Sequence, residues 1–220
     1  MKGKQVKLIE FFRSFQGEGV DRGRLMVILR FKYCNRKCSF CDTNVKMRIS
    51  QEGIYDLSAI QKVIDEHKCG ILVTGGEPTI AKHFKECLLL LNELDYPIAN
   101  VETNGYNLLS LISQVKADKN VNYSYSPKIF TQRDLENEII STGQLIKYPN
   151  VYFKVVYEDR ALVNDYLEAL SVLNVNQRVY LMIEGVTRAD LIKNSGAVFD
   201  ACEEYNFNFS SRDHVIYGFI

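Results

Sequence analysis

Short apolar runs of strand length alternate along this chain with longer segments whose apolar residues recur every three or four positions, and that alternation admits few folds. The runs Met26–Tyr33, Gly70–Val73, Ile98–Glu102, Val121–Tyr125, Val151–Val156 and Arg178–Ile183 are rich in Val, Ile, Leu, Tyr and Phe. They read as strands buried on both faces, as in a parallel sheet. Between and after them, Leu57–His67, Ile80–Leu94, Tyr106–Val115, Asp134–Ile146, Arg160–Leu173 and Thr187–Tyr205 carry helical periodicity, with Asp56 and Asp134 as start signals. The class is α/β. About six strand–helix units fall short of the eight in a closed barrel, so the pattern suits an open, partial (β/α)6-type barrel with a parallel sheet, or a doubly wound sheet. Both architectures put their chemistry at the C-terminal ends of the strands.

With 220 residues, 46% of them hydrophobic, and only four prolines, the chain reads as one continuous domain over 1–220 with no linker, repeat or low-complexity stretch. Its 27 basic and 27 acidic side chains cancel. Bulk charge therefore argues against nucleic acid or a membrane surface as partner and favours a small-molecule substrate. No apolar stretch has membrane-spanning length, and Met1 to Lys7 lacks the apolar core of a signal peptide. A cytoplasmic location, with thiols kept reduced, is the expectation.

The thiols matter because Cys34, Cys38 and Cys41 lie in the run Cys-Asn-Arg-Lys-Cys-Ser-Phe-Cys, directly after the first strand-like run. A loop this short brings three soft ligands to one small volume. A four-iron cluster normally takes four thiolates, so three would leave one iron open for chemistry. Zinc or free thiols remain the alternatives on spacing alone, although a structural zinc site usually shows a second ligand pair. Cys69, Cys87 and Cys202 are isolated and read as small buried hydrophobes.

Other strand ends carry polar sets. Thr74-Gly75-Gly76-Glu77-Pro78 follows Ile71–Val73; its glycines allow close backbone approach and Glu77 offers a carboxylate to an amine, or the segment is simply a turn and helix start. Glu102-Thr103-Asn104-Gly105 and Ser126-Pro127-Lys128 close the next two strands and would pass alone as turns. Lys154 sits inside an apolar strand and needs a partner or a polar cavity.

Cys-x-x-x-Cys-x-x-Cys after one strand and Gly-Gly-Glu-Pro after the next resemble the radical S-adenosylmethionine superfamily. The resemblance implies that Cys34, Cys38 and Cys41 hold a [4Fe–4S] cluster whose open iron chelates S-adenosylmethionine. Gly75, Gly76 and Glu77 then meet the cofactor's amino group. Phe40 and Asp42 beside the cluster, the polar set of Glu102 and Asn104, and Ser126, Pro127 and Lys128 help hold the cofactor.

Phe12-Arg13-Ser14-Phe15-Gln16-Gly17-Glu18-Gly19, Arg30 in the first strand and Cys-Asp-Thr at Cys41 to Thr43 are further similar to the 7-carboxy-7-deazaguanine synthase family. In that likeness Phe15, Gln16, Gly17, Glu18, Arg30, Thr74 and Ile220 are substrate contacts and Thr43 joins a magnesium site. The implied activity is of lyase type: 6-carboxy-5,6,7,8-tetrahydropterin is converted to 7-carboxy-7-deazaguanine, a queuosine precursor, with loss of ammonia. The cofactor carries the radical chemistry and no side chain acts as a catalytic nucleophile. A flavodoxin-like or ferredoxin-like electron donor and a homodimer are further implications.

The residue types suit these roles. Arg30 offers a fork of donors to a carboxylate, Gln16 can donate to and accept from a pterin edge, and Thr43 offers an oxygen to a hard cation. Two other readings compete: an activase that abstracts hydrogen from a glycine of a partner enzyme, and a non-enzymatic module stabilised by a metal. Neither requires Gln16-Gly17-Glu18 together with Arg30. The C-terminal run Ser210 to Val215 resembles the family only loosely, which leaves His214 a weak site candidate.

Overall fold

The computed structural model describes residues 3–41, 43 and 48–219. In chain order they form β1 (Gln5–Leu8), β2 (Glu10–Phe15), β3 (Leu25–Phe31), β4 (Gly53–Asp56), α1 (Leu57–His67), β5 (Gly70–Gly75), α2 (Phe84–Glu93), β6 (Ala99–Thr103) and α3 (Leu108–Gln114). There follow β7 (Val121–Tyr125), α4 (Gln132–Leu145), β8 (Val151–Tyr157), α5 (Ala161–Ser171), β9 (Val179–Ile183), α6 (Arg188–Tyr205), β10 (Asn208–Ser210) and α7 (Asp213–Tyr217). From β3 onward the chain runs through the six strand–helix units read from the sequence. The class is α/β with mostly parallel strands.

Two compact units divide it: residues 1–16 with 23–123, and residues 17–22 with 124–220. In the first, β2 pairs antiparallel with β3, and β3, β5 and β6 run parallel in that order. Register matters to the site. Arg30 lies opposite Thr74 and Phe31 opposite Gly75, while Glu10 faces Arg30 on the other side. Five of the seven residues of β3 are buried, because helices cover a parallel strand on both faces. Met26, Ile28 and Leu72 form one core cluster against Phe12 and Ile98. The helices contribute Leu57, Ile60 and Ile64 from α1 and Leu90 and Leu91 from α2, the i, i+3 and i+4 positions of their apolar stripes. Burial of each such side chain stabilises by about 1.5–3 kcal/mol.

In the second unit β8, β9 and β10 run parallel, with β9 in the middle. Val151, Phe153, Val155, Val179, Leu181 and Ile183 are buried, as are Val163, Tyr166, Leu167 and Leu170 of α5. Helices α4 and α6 both begin with reciprocal capping boxes, Thr131 with Asp134 and Thr187 with Asp190.

Helix starts are where the structure departs from the sequence reading. Asp134 is the third helical residue of α4, not its cap; Thr131 occupies that place because its hydroxyl accepts from the Asp134 amide. Asp56 does precede α1 but makes no side-chain cap; its carboxylate instead accepts from Gln5 Nε2 at 3.0 Å. The segment Ile80–Leu94 becomes helical only at Phe84, the four residues before it forming a turn in which His83 and Phe84 amides both bond Ile80 O. Strands β1, β2, β4 and β10 went unread. β1 and β4 form a separate antiparallel pair, Gln5 opposite Asp56 and Leu8 opposite Gly53, a separation along the chain at which no local pattern announces pairing.

Candidate functional site

The cysteine loop leaves the C-terminal end of β3, as the sequence placed it. Its three cysteines form no disulfide and are partly buried. Cys34 Sγ accepts from the Arg36 amide at 3.4 Å and from Asn104 Nδ2 at 3.8 Å, and the Cys41 amide bonds Cys38 O at 3.3 Å. Asn104 also donates to Asn35 Oδ1 at 2.8 Å, tying the end of β6 to the loop. Among the described residues no three His, Cys, Asp or Glu side chains converge on a single point. A four-iron cluster does not ask for that, since each thiolate binds its own iron. Three soft thiols with N–H donors turned toward a sulfur suit such a cluster. By contrast Cys69 and Cys87 are buried in the core, and burial pushes the thiols of Cys69, Cys87 and Cys202 above their ordinary values.

Gly75 and Gly76 show why that motif carries no side chains. A Cβ on Gly75, whose φ is +125°, would stand 2.2 Å from Phe31 O, and one on Gly76 would stand 2.1 Å from Tyr33 O. The close approach is by the chain itself, since the Gly76 amide bonds Phe31 O at 3.0 Å and the Glu77 amide bonds Tyr33 O at 2.7 Å. The Gly-Gly-Glu segment thus clamps the stretch that delivers Cys34.

Glu77 is 1% exposed. Its Oε1 accepts from the Thr79 amide (3.0 Å), the Thr79 hydroxyl (2.7 Å) and the Thr103 hydroxyl (2.6 Å), and its Oε2 from the Asn104 amide (2.5 Å). Burial raises its pKa against the lowering effect of those bonds. In the folded chain this carboxylate therefore joins the ends of β5 and β6, and through Asn104 it reaches the cysteine loop.

A second polar set lies in the same unit. Glu102 Oε1 accepts from Gln16 Nε2 at 3.1 Å and its Oε2 from Thr74 Oγ1 at 2.9 Å. Gln16 and Thr74 are buried. Arg30, next to Thr74 in register, donates from Nε to Glu10 Oε1 at 2.5 Å. Phe15 is half exposed and Phe40 and Thr43 partly buried. Asp42 and Ile220 lie outside the described residues.

In the second unit the loop of residues 17–22 is held by ions. Glu18, 8% exposed, accepts from Lys154 Nζ at 2.7 Å and Arg212 Nε at 2.9 Å, with His214 Nε2 at 3.7 Å. Burial alone would raise its pKa, but Lys154, Arg212 and His214 outweigh it and hold the carboxyl far below the ordinary carboxylate range. Lys154, unexplained in the sequence, finds its partner here. Gly17 lies so close to His214 that a Cβ would stand 2.4 Å from Nδ1, and the Asp213 amide bonds Gly17 O at 3.0 Å. Ser126, Pro127 and Lys128 follow β7: Lys128 Nζ donates to Ser126 Oγ at 2.6 Å and its amide to Glu138 Oε1 at 3.1 Å, while the Tyr125 hydroxyl donates to the other oxygen.

The sequence reading missed Thr79, Glu10 and His83, and gave Thr103 and Arg212 no role of their own within the segments it singled out. His83 is wholly buried, stacked on Phe31 at 4.6 Å between ring centroids, and burial lowers its pKa to about 4, keeping it neutral. No local signal marked it, since a histidine shortly after Pro78 looks like any turn residue.

A family model described as the radical SAM superfamily matches residues 28–194. A 7-carboxy-7-deazaguanine synthase of Neisseria meningitidis serogroup B is 32% identical over 144 residues, 65% of this chain and 62% of that protein. The chain thus spans about three fifths of that relative. One of the same name from Hyperthermus butylicus is 25% identical over 223 residues, 96% of this chain and 92% of that protein. The crystal structure of QueE from Escherichia coli shares the fold, with a TM-score of 0.59 at 18% identity over 94% of this chain and 93% of that one.

Proposed function

We propose, for a chain that belongs to the radical SAM superfamily, the reaction named by these relatives: formation of 7-carboxy-7-deazaguanine, from 6-carboxy-5,6,7,8-tetrahydropterin with loss of ammonia. The observation that carries this reading is the hydrogen-bonded set of Gln16, Glu102 and Thr74, with Arg30 in register beside Thr74. It offers an amide, a carboxylate, a hydroxyl and a guanidinium, the groups that a carboxylated pterin edge would engage. An activase working on a protein glycine has no use for that set.

In this reading Cys34, Cys38 and Cys41 hold a [4Fe–4S] cluster, which with S-adenosylmethionine supplies one-electron cleavage of a carbon–sulfur bond and the hydrogen abstraction that follows. Gly75, Gly76 and Glu77 present the loop that meets the cofactor's amino group, Glu77 fixing its shape from within. Phe40, Asp42, Asn104 and Ser126 to Lys128 contribute further cofactor contacts. Arg30 binds the substrate carboxylate, exchanging part of its contact with Glu10 for it, and Gln16 and Thr74 orient the ring. Phe15, Gly17 and Ile220 complete the substrate contacts, and Thr43 offers a hydroxyl to Mg2+. Positioning and exclusion of water are the protein's contribution.

Anaerobic reconstitution, reduction and mass spectrometry with the carboxytetrahydropterin, S-adenosylmethionine and Mg2+ test this directly. Appearance of 7-carboxy-7-deazaguanine is the expected result. Release of 5′-deoxyadenosine without that product would overturn the substrate, and neither product from an intact reduced cluster would overturn the activity.

A further inference from the structure

We infer that His83 is a positioning residue for the cysteine loop, acting as the hydrogen-bond acceptor that sets the backbone immediately before Cys34. This rests on the reading that the loop carries a cluster, but the contact itself stands without it.

Tyr33 is gripped at three points, all in the first unit. Its amide donates to His83 Nε2 at 3.3 Å, its carbonyl accepts from the Glu77 amide at 2.7 Å, and its ring lies under Lys82 Nζ, 3.2 Å from the centroid. His83 itself is fixed from both sides, stacked on Phe31 (4.6 Å) and on Tyr33 (5.7 Å). The Tyr33 amide sits past the last paired residue of β3, where no sheet partner serves it. An N–H turned inward at a strand end is costly unless something accepts from it. A neutral imidazole does so here because its Nε2 bears a lone pair, which assigns the proton to Nδ1. Nδ1 lies 3.9 Å from Glu86 Oε2 and has no hydrogen-bond partner among the described residues. The ring is thus spent on Tyr33. A residue one peptide from a cluster ligand controls where that thiol points, and ligand placement tolerates errors of only about half an ångström.

Two substitutions separate acceptance from packing. His83→Phe keeps the stacking and removes the acceptor; His83→Gln removes the ring and keeps an oxygen that can accept. In the metal-free protein, Tyr33 amide hydrogen exchange should be roughly fivefold or more faster in His83→Phe, the worth of one buried hydrogen bond, and close to wild type in His83→Gln. After anaerobic reconstitution, His83→Phe should retain less iron through gel filtration and give a broadened or shifted EPR signal on reduction, with His83→Gln restoring both. Unchanged exchange and iron retention in His83→Phe would overturn the inference, as would equal failure of both variants, which would assign the effect to packing. Should His83→Phe fail to fold, the ring nitrogen shifts of wild-type His83 decide: a protonated Nε2 overturns the inference. Absence of iron in wild type would defeat the cluster reading and leave the exchange result standing.

Discussion

Glu18→Gln is the most demanding test of the structure, because it removes one charge from a buried set and leaves the cations behind. The carboxylate accepts from Lys154 at 2.7 Å and Arg212 at 2.9 Å, with side-chain exposures of 10%, 7% and 6% for the three residues. Breaking a buried pair by removing one partner costs about 3–5 kcal/mol, since the stranded cation keeps its desolvation penalty. Glutamine retains one accepting oxygen, so about 3 kcal/mol is the expected loss at pH 7. That corresponds to a fall in melting temperature of roughly 6–12 °C for a chain of this size. The loss has a predictable pH dependence. Glu18 is held below its ordinary value of 4.5, so its contribution is complete above that pH and disappears as pH falls beneath it toward the folded-state value. The gap between wild type and Glu18→Gln, measured by urea unfolding, should therefore be widest near neutrality and narrow progressively below about pH 4.5. Adding Lys154→Met should recover part of the loss, because the stranded ammonium is what costs. A gap under about 1 kcal/mol at pH 7, or one that persists unchanged to pH 3, would refute the reasoning.

Gly76→Ala should cost about 3 kcal/mol by urea unfolding and depress iron uptake, since its Cβ would meet backbone atoms of Tyr33 that cannot yield cheaply. Thr103→Val removes the hydroxyl that donates to Glu77 and accepts from the Gly105 amide; a loss of about 2 kcal/mol in unfolding free energy is expected. Cys38→Ala should abolish cofactor cleavage together with cluster content. Arg30→Ala should keep cluster content and cofactor cleavage while losing product formation, and equal loss of iron in both variants would reject that division of roles.

Much of this was legible because it is local. Short apolar runs, separated by segments with three- and four-residue periodicity, marked the six strand–helix units within a few residues, and Leu57–His67 and Val121–Tyr125 to the residue. The cysteine loop, Gly-Gly-Glu-Pro and the strand-end polar sets were likewise visible as short words. What escaped was pairing at a distance. β1 meets β4 far along the chain, Gln5 opposite Asp56, a choice settled by which partner arrives in space. The Thr131 cap of α4, by contrast, belongs to a local box that ends at Asp134, and the start signal at Asp134 marks the wrong end of it.

The residue types available to the site, and the order of strands and helices that carries them, followed from the sequence alone, since both depend on neighbours within a few positions. Tertiary structure decided how those residues are used. Glu77 became the buried tie between two strand ends, Gly75 and Gly76 the clamp on the cysteine loop, Lys154 the partner of Glu18, and His83 the acceptor before Cys34. Each role arises where segments distant in the chain meet and a buried polar group must find a partner, a requirement that no stretch of sequence states by itself.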